Sequence, residues 1–313
     1  MPKGTVRKIG HTLTLVVLAL MVLFGFALIM VEYTDVGDVL GASSAPGFSN
    51  NDLSQVPDGV RKDAQELAGE ILGPHTVQAR VFARQLLVTY LDARDKDFIL
   101  VYNPGGWGSS LLRESPGWQS IVNGIEGELN SQGYELLPLN YRRTQHGWIA
   151  SLDEISEMAI HYNHKAKILA ARFDFLTDHN PHVRVIMASE SNGSIISDQV
   201  MILLKDNDRV YDIQTGTPPW YHPPELERTL IINNNGEVPD SFSNGDFPAI
   251  IDANLKMLTD FHQQVANGGH ILKVFRAPGH VYNWEQPRVS KEVCDFLDEI
   301  LAASKQPGGM QPG

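Results

Sequence analysis

The chain has 313 residues, 42% of them hydrophobic and 20% charged, the composition of a folded protein with room for one ordinary catalytic domain. Asp plus Glu number 37 against 25 Lys plus Arg, a formal charge of −12, which argues against a nucleic-acid partner because such binding relies on a basic surface. The single cysteine, Cys294, excludes internal disulfide frameworks, zinc ribbons and iron–sulfur clusters.

Residues 1–12 carry Lys3, Arg7 and Lys8, and Leu13 to Val31 then reads LTLVVLALMVLFGFALIMV, with no charge. At 1.5 Å per residue such a helix spans about 28 Å, close to a bilayer's hydrocarbon core. Glu32, Asp35 and Asp38 follow. The positive-inside rule puts the N-terminus in the cytoplasm and everything after Val31 outside the cytoplasmic membrane. A cleaved signal peptide is the competing reading; its apolar region is usually about 7–15 residues long and ends at an A-x-A-like site. Here the run is longer, and the nearest small-residue cluster, residues 41–45, is followed by Pro46. The expectation is a transmembrane signal anchor over 13–31, single-pass, with the membrane as a partner.

Residues 32–58 are rich in Gly, Ser, Asn, Asp and Pro without a sustained period and read as a flexible tether. From 59 to 305 the pattern is that of one domain, with 306–313 a disordered tail. Helices are predicted over Asp58–Leu72, ended by Gly73-Pro74, and over Val77–Arg94. Strand Phe98–Asn103, a helix around Trp118–Gln132, strand Tyr134–Asn140 and a long helix from Leu152 to about Phe175 come next. Strand Val183–Ala188, helix Gly193–Leu204, and strands Val210–Thr215 and Arg228–Asn233 follow. Helix Ala249–Val265, strand His270–Arg276 and helix Val289–Ala302 complete the chain. Near-continuous apolar strands alternating with helices imply an α/β fold: a mostly parallel sheet of about six strands flanked by helices. Ligands in such folds bind beyond the carboxyl ends of the strands.

Four of those strand ends carry chemistry. Ser189-Glu190-Ser191-Asn192-Gly193 leads from a strand into a helix, with small residues two before and two after Ser191, as a tight nucleophile turn demands. Ser189 stands where the usual G-x-S-x-G pattern has its first glycine. An ordinary helix N-cap gives the same local pattern. His280, in Gly279-His280 after the last strand, is a candidate general base. The loop after residue 233 offers the acid that would fix the imidazole tautomer: Asp240 first, with Glu237 and Asp246 as alternatives. Asn103-Pro104-Gly105-Gly106-Trp107-Gly108 follows the first strand, and its glycines allow backbone N–H groups to reach a developing oxyanion. Gly106 or Trp107 would supply one N–H and Asn192 the other. Walker A and G-x-G-x-x-G phosphate loops are absent. Glu157, His161 and His164 share a helix face at metal-ligand spacing, but no further ligand is evident and a solvated face explains them better. No metal and no cofactor is expected.

On these residues the stretch from Phe98 to Ala302 resembles the α/β-hydrolase superfamily, whose chain order is also serine, acid, histidine. The resemblance implies a serine nucleophile with a histidine base. Together with the N-terminal run, the expectation is a membrane-anchored serine hydrolase cleaving an ester, thioester or amide of a small-molecule or lipid-like substrate. The rival expectation is a catalytically silent domain of the same fold that serves as an extracytoplasmic binding or assembly module.

Overall fold

The computed structural model describes residues 39–42, 52–106, 108–143, 162–259 and 277–305. Its centre is a sheet in the order β1-β3-β2-β4-β5-β6. The strands are β1 (Val39–Ala42), β2 (Phe98–Asn103), β3 (Leu136–Arg142), β4 (Arg184–Glu190), β5 (Val210–Thr215) and β6 (Thr229–Ile232). Strands β2 to β6 are mutually parallel and correspond to five of the six strands expected from sequence. The sixth expected strand, residues 270–276, lies outside the described residues.

The span read as a tether behaves differently from expectation. Val39–Ala42 adds an antiparallel edge strand to β3, with Val39 opposite Arg142 and Ala42 opposite Leu139. Four residues are too few to show a period, so a strand made by ladder bonds to a ready edge leaves no sequence signal. Because Val39 pairs with the last residue of β3, the chain enters the sheet from the carboxyl edge of the parallel strands. Further along the same span, Leu53–Gln55 forms a 3₁₀ turn capped by the Asp52 carboxylate, which accepts from Ser54 N–H at 2.9 Å.

Among the described residues seven helices surround the sheet: α1 (Asp58–Leu72), α2 (Val77–Ala93), α3 (Pro116–Ser131), α4 (Asn163–His179), α5 (Gly193–Leu203), α6 (Phe247–Thr259) and α7 (Pro287–Lys305). Helix α4 runs to His179, past the expected end near Phe175, and is stopped by the turn before Pro181. Alternation along each strand divides the core. Ile99, Val101, Val185 and Met187 face α1, α2, α4 and α5, while Phe98, Leu100, Tyr102, Ile186 and Ala188 face α3 and α7. All six residues of β2 are buried, as a central strand covered on both faces requires. Each such aliphatic or aromatic side chain contributes roughly 1.5–3 kcal/mol of transfer free energy.

Among the described residues no helix is long and apolar enough to cross a membrane, and the apolar run 13–31 lies outside them. The fold thus brings the loops after Asn103, Glu190, Thr215 and Ile232 to one edge.

Candidate active site

Strand β4 delivers Ser191 at that edge. Its backbone sits at φ +47°, the left-handed region that a non-glycine residue seldom occupies and that costs of order 1–3 kcal/mol. The surroundings over-determine it. Ser191 N–H donates to Thr215 O at 2.9 Å, while its carbonyl accepts from Ser194 N–H at 2.9 Å and Ser194 Oγ at 2.7 Å. Helix α5 begins two residues on, at Gly193, where a methyl group would lie 2.5 Å from Asn103 O. Glycine is therefore required for the helix to start against the β2 loop. Ser189 is fully buried and tolerated in place of the usual glycine because its hydroxyl donates to Asp212 Oδ1 at 3.3 Å.

His280 N–H donates to Ala277 O at 3.1 Å, which turns the loop back on itself. Its ring Nδ1 lies 2.9 Å from Asp240 Oδ2; the histidine side chain is 21% exposed and the aspartate fully buried. Asp240 is saturated with donors. Phe242 N–H and Ser243 N–H reach Oδ1 at 2.9 and 3.1 Å, and Tyr282 Oη and Ser243 Oγ reach Oδ2 at 2.6 and 2.8 Å. Burial alone would push this carboxyl up, but the His280 hydrogen bond and charge, then Tyr282 and Ser243, hold it below the ordinary carboxylate range. Burial, followed by the bond to Asp240, drives the Tyr282 phenol well above its ordinary value, so it stays a donor. With Nδ1–H given to Asp240, His280 Nε2 is left as the basic nitrogen.

The other candidate acids go elsewhere. Glu237 is exposed, and its carboxylate accepts from Gln286 Nε2 at 3.4 Å. Asp246 is exposed and caps the start of α6, taking Ala249 N–H at 3.1 Å. The sequence put Asp240 first but kept the other two as alternatives, because all three lie in one polar loop. Only burial and hydrogen bonding separate them.

Gly216 links the histidine to the serine. It has φ +63°, and a methyl group there would lie 2.6 Å from His280 Cε1 and 2.9 Å from Nδ1. The preceding residue, Thr215, is the one whose carbonyl holds Ser191 N–H. The imidazole therefore rests one residue along the backbone from the serine's own anchor. Among the described hydrogen bonds none joins Ser191 Oγ to the His280 ring.

The glycine loop after β2 is braced by side chains. Gly106 has φ +54°, and its carbonyl accepts from Asn192 Nδ2 at 3.3 Å and Arg143 Nη2 at 3.5 Å. The Arg143 guanidinium, 2% exposed, also bonds Asn103 Oδ1 and Pro104 O. The Glu190 carboxylate takes Tyr102 Oη at 2.8 Å and Gly105 N–H at 3.4 Å. Asn192 precedes the first turn of α5, so its N–H has no intrahelical acceptor. Trp107 lies outside the described residues.

Sequence reading missed Arg143, Tyr282 and a buried acidic pair behind the elbow. Gln214 Nε2 lies 2.6 Å from Asp198 Oδ1 and 2.7 Å from Asp212 Oδ2, and Tyr221 Oη donates to Asp198 Oδ2 at 2.8 Å. Burial lifts Asp212 to about 7 and Asp198 to about 6. Polar letters inside β5, Asp212 and Gln214, were the available signal, since every residue of that strand is buried. No group of three or more metal-ligating side chains occurs among the described residues. Glu157 and His161 lie outside them, and His164 is exposed on α4.

The fold and site are those of an α/β domain with a strained serine and a histidine–carboxylate pair at the carboxyl edge of its sheet. No protein-family model matches the chain, and no curated protein matches it in sequence. Among solved structures it is similar to a Trichoderma reesei cutinase in complex with a C11Y4 phosphonate inhibitor, with a TM-score of 0.40 and 10% identity. The likeness covers 79% of this chain and 94% of that one.

Proposed function

We propose that the protein is a serine hydrolase that cleaves a carboxylic ester, or a thioester or amide, through an acyl-enzyme. Its substrate is a small-molecule or lipid-like ester, and its N-terminal run is a membrane anchor that leaves the catalytic domain outside the cytoplasmic membrane. Ser191 Oγ attacks the acyl carbon while His280 Nε2 takes the hydroxyl proton. Asp240 holds the imidazole in the productive tautomer and stabilises the imidazolium that forms. The carbonyl electrons collect on an oxyanion met by Asn192 N–H and a second N–H from the Gly106-Trp107 segment. Collapse of that intermediate expels the alcohol, protonated by His280, and leaves Ser191 acylated. Water, activated by the same histidine, releases the acid and restores the hydroxyl. The sequence demands no cofactor.

The observation that carries the reading is the buried Asp240 carboxylate bonded to His280 at 2.9 Å, on a loop packed against Gly216 beside the Ser191 turn. The test is hydrolysis of a short p-nitrophenyl ester by the full chain in detergent. Wild type should turn over and Ser191→Ala should not, whereas Ser189→Ala should retain activity. A folded wild type inert toward every activated ester would leave the silent binding-module reading in its place.

A further inference from the structure

The last residue of the apolar run, Val31, is separated by only seven residues, 32–38, from Val39, the first residue of β1. Seven residues reach at most about 25 Å when fully extended. Val39 pairs with Arg142, so this short connection leaves the domain from the carboxyl edge of the sheet, the edge that carries Ser191 and His280. Three strand spacings, about 14 Å, separate β1 from β4 along that edge. If residues 13–31 cross a bilayer, the edge holding the site is the one held near the lipid.

The same edge is apolar where a soluble protein has no need for it. Nine large apolar side chains are exposed among the described residues, and five belong to loops that leave the carboxyl edge or to the start of α6: Trp220, Val238, Phe247, Ile251 and Val281, at 46–64% exposure. They adjoin the site. Trp220 packs edge-on against Phe242 at 5.5 Å, and Phe242 lies 4.7 Å from the His280 ring. A methyl group on Gly245 would be 3.6 Å from Pro219 and 4.0 Å from Phe247, which places the Trp220 loop beside α6. Exposed apolar residues gathered in this way mark an interaction surface. Glu237 and Asp246, both exposed, stand beside Val238 and Phe247, so the patch suits insertion into zwitterionic lipid better than attraction to anionic headgroups.

We infer that the carboxyl edge of the sheet, with the mouth of the serine site, lies against the bilayer that residues 13–31 enter, and that Trp220, Val238, Phe247, Ile251 and Val281 contact lipid there. The inference rests on the anchor and serine-hydrolase readings above and deepens them: the substrate is an ester with a hydrocarbon chain, taken from the lipid phase.

The test uses the full chain reconstituted in phosphatidylcholine vesicles. On a Cys294→Ser background, a bimane probe is placed at Phe247→Cys or, as a control on the opposite edge, at Asp206→Cys in the exposed turn between α5 and β5. Nitroxide-labelled phosphatidylcholine should quench the probe at 247 several-fold more than at 206, with no dependence on anionic lipid. Equal quenching at the two positions overturns the inference, including the case in which a protein partner covers the patch. A second arm uses the Phe247→Ser/Ile251→Ser double variant. It should lose about tenfold in turnover of 4-methylumbelliferyl oleate dissolved in the vesicles while keeping wild-type turnover of soluble p-nitrophenyl acetate. Equal loss on both esters, or loss on neither, overturns the lipid-facing surface. A wild type that cleaves neither ester defeats the hydrolase reading instead, and the quenching comparison then still decides the orientation.

Discussion

His280 and Asp240 are 40 residues apart in the chain, yet Nδ1 and Oδ2 meet at 2.9 Å with the carboxylate wholly out of water. A buried carboxylate is costly unless donors surround it, and here four other hydrogen bonds do so. Neutralising it should therefore act on the histidine rather than on the fold. Asp240→Asn should lower kcat by about 10⁴-fold, because the amide favours the wrong imidazole tautomer and cannot stabilise an imidazolium. Glu237→Gln and Asp246→Asn should each leave kcat within a factor of about two, because surface substitutions away from such features have small effects. Steady-state kinetics on a p-nitrophenyl ester, with circular dichroism to confirm folding, separates the three.

In the proposed site Tyr282 is a positioning residue by the same geometry. Its hydroxyl donates to the Asp240 oxygen that also receives His280. Tyr282→Phe removes one of several donors, so the carboxylate stays satisfied. Turnover should fall by no more than about tenfold, the equivalent of one ordinary hydrogen bond. The acidic limb of the kcat/KM profile should also move, which a merely structural residue would not cause.

Gly216→Ala tests the packing between the imidazole and the β5 turn. The new methyl group would meet His280 Cε1 at 2.6 Å and would also sit at φ +63°. The backbone strain is worth roughly 1–2 kcal/mol, a few degrees in Tm. Turnover should drop by at least about 100-fold, because a displacement near 1 Å at the chemistry is that costly. Comparable losses in Tm with unchanged kcat would place the ring elsewhere.

The buried pair behind the elbow gives the molecule a pH signature. Burial raises Asp212 to about 7 and Asp198 to about 6, so in the folded state both hold protons that the unfolded chain has already lost. Stability falls with rising pH wherever the native state binds more protons. The neutral pair is fully stabilising below the unfolded carboxyl range, near pH 4, and its contribution declines up to about pH 7. Asp212→Asn should flatten this dependence and raise Tm above wild type at pH 8. Thermal melts at pH 5 and pH 8 decide it; a variant with the wild-type slope contradicts the assignment.

Arg143 braces the glycine loop through Asn103, Pro104 and Gly106. A lysine in its place keeps the charge but cannot span three acceptors arranged for a planar fork. Arg143→Lys should lower kcat about tenfold with KM nearly unchanged, because in the proposed mechanism the loop supplies an oxyanion donor used in the transition state. A rise in KM alone would make the loop a substrate-binding element instead.

The legible parts of this protein were those with periodic or punctuated sequence. Apolar runs such as FILVYN and VRVIMA announced β2 and β4, and the small residues flanking Ser191 announced the turn that the left-handed φ then supplied. The sequence ranked Asp240 ahead of Glu237 and Asp246, but which carboxylate the Tyr282 and Ser243 hydroxyls enclose is a tertiary matter that no spacing reveals. Strand β1 was hidden by its length, and Arg143 by being one of two adjacent arginines at the end of β3. Neither leaves a period to read.

The central claim is that Ser191 is the nucleophile, and covalent capture tests it most directly. The full chain, treated with a fluorophosphonate and digested, should carry one adduct, on the peptide bearing Ser191. Labelling should vanish in Ser191→Ala, persist in Ser189→Ala, and slow by several orders of magnitude in His280→Ala, which keeps the serine but removes its base. A folded wild-type protein that takes up no phosphonate, or takes it up at a residue other than Ser191, contradicts the account.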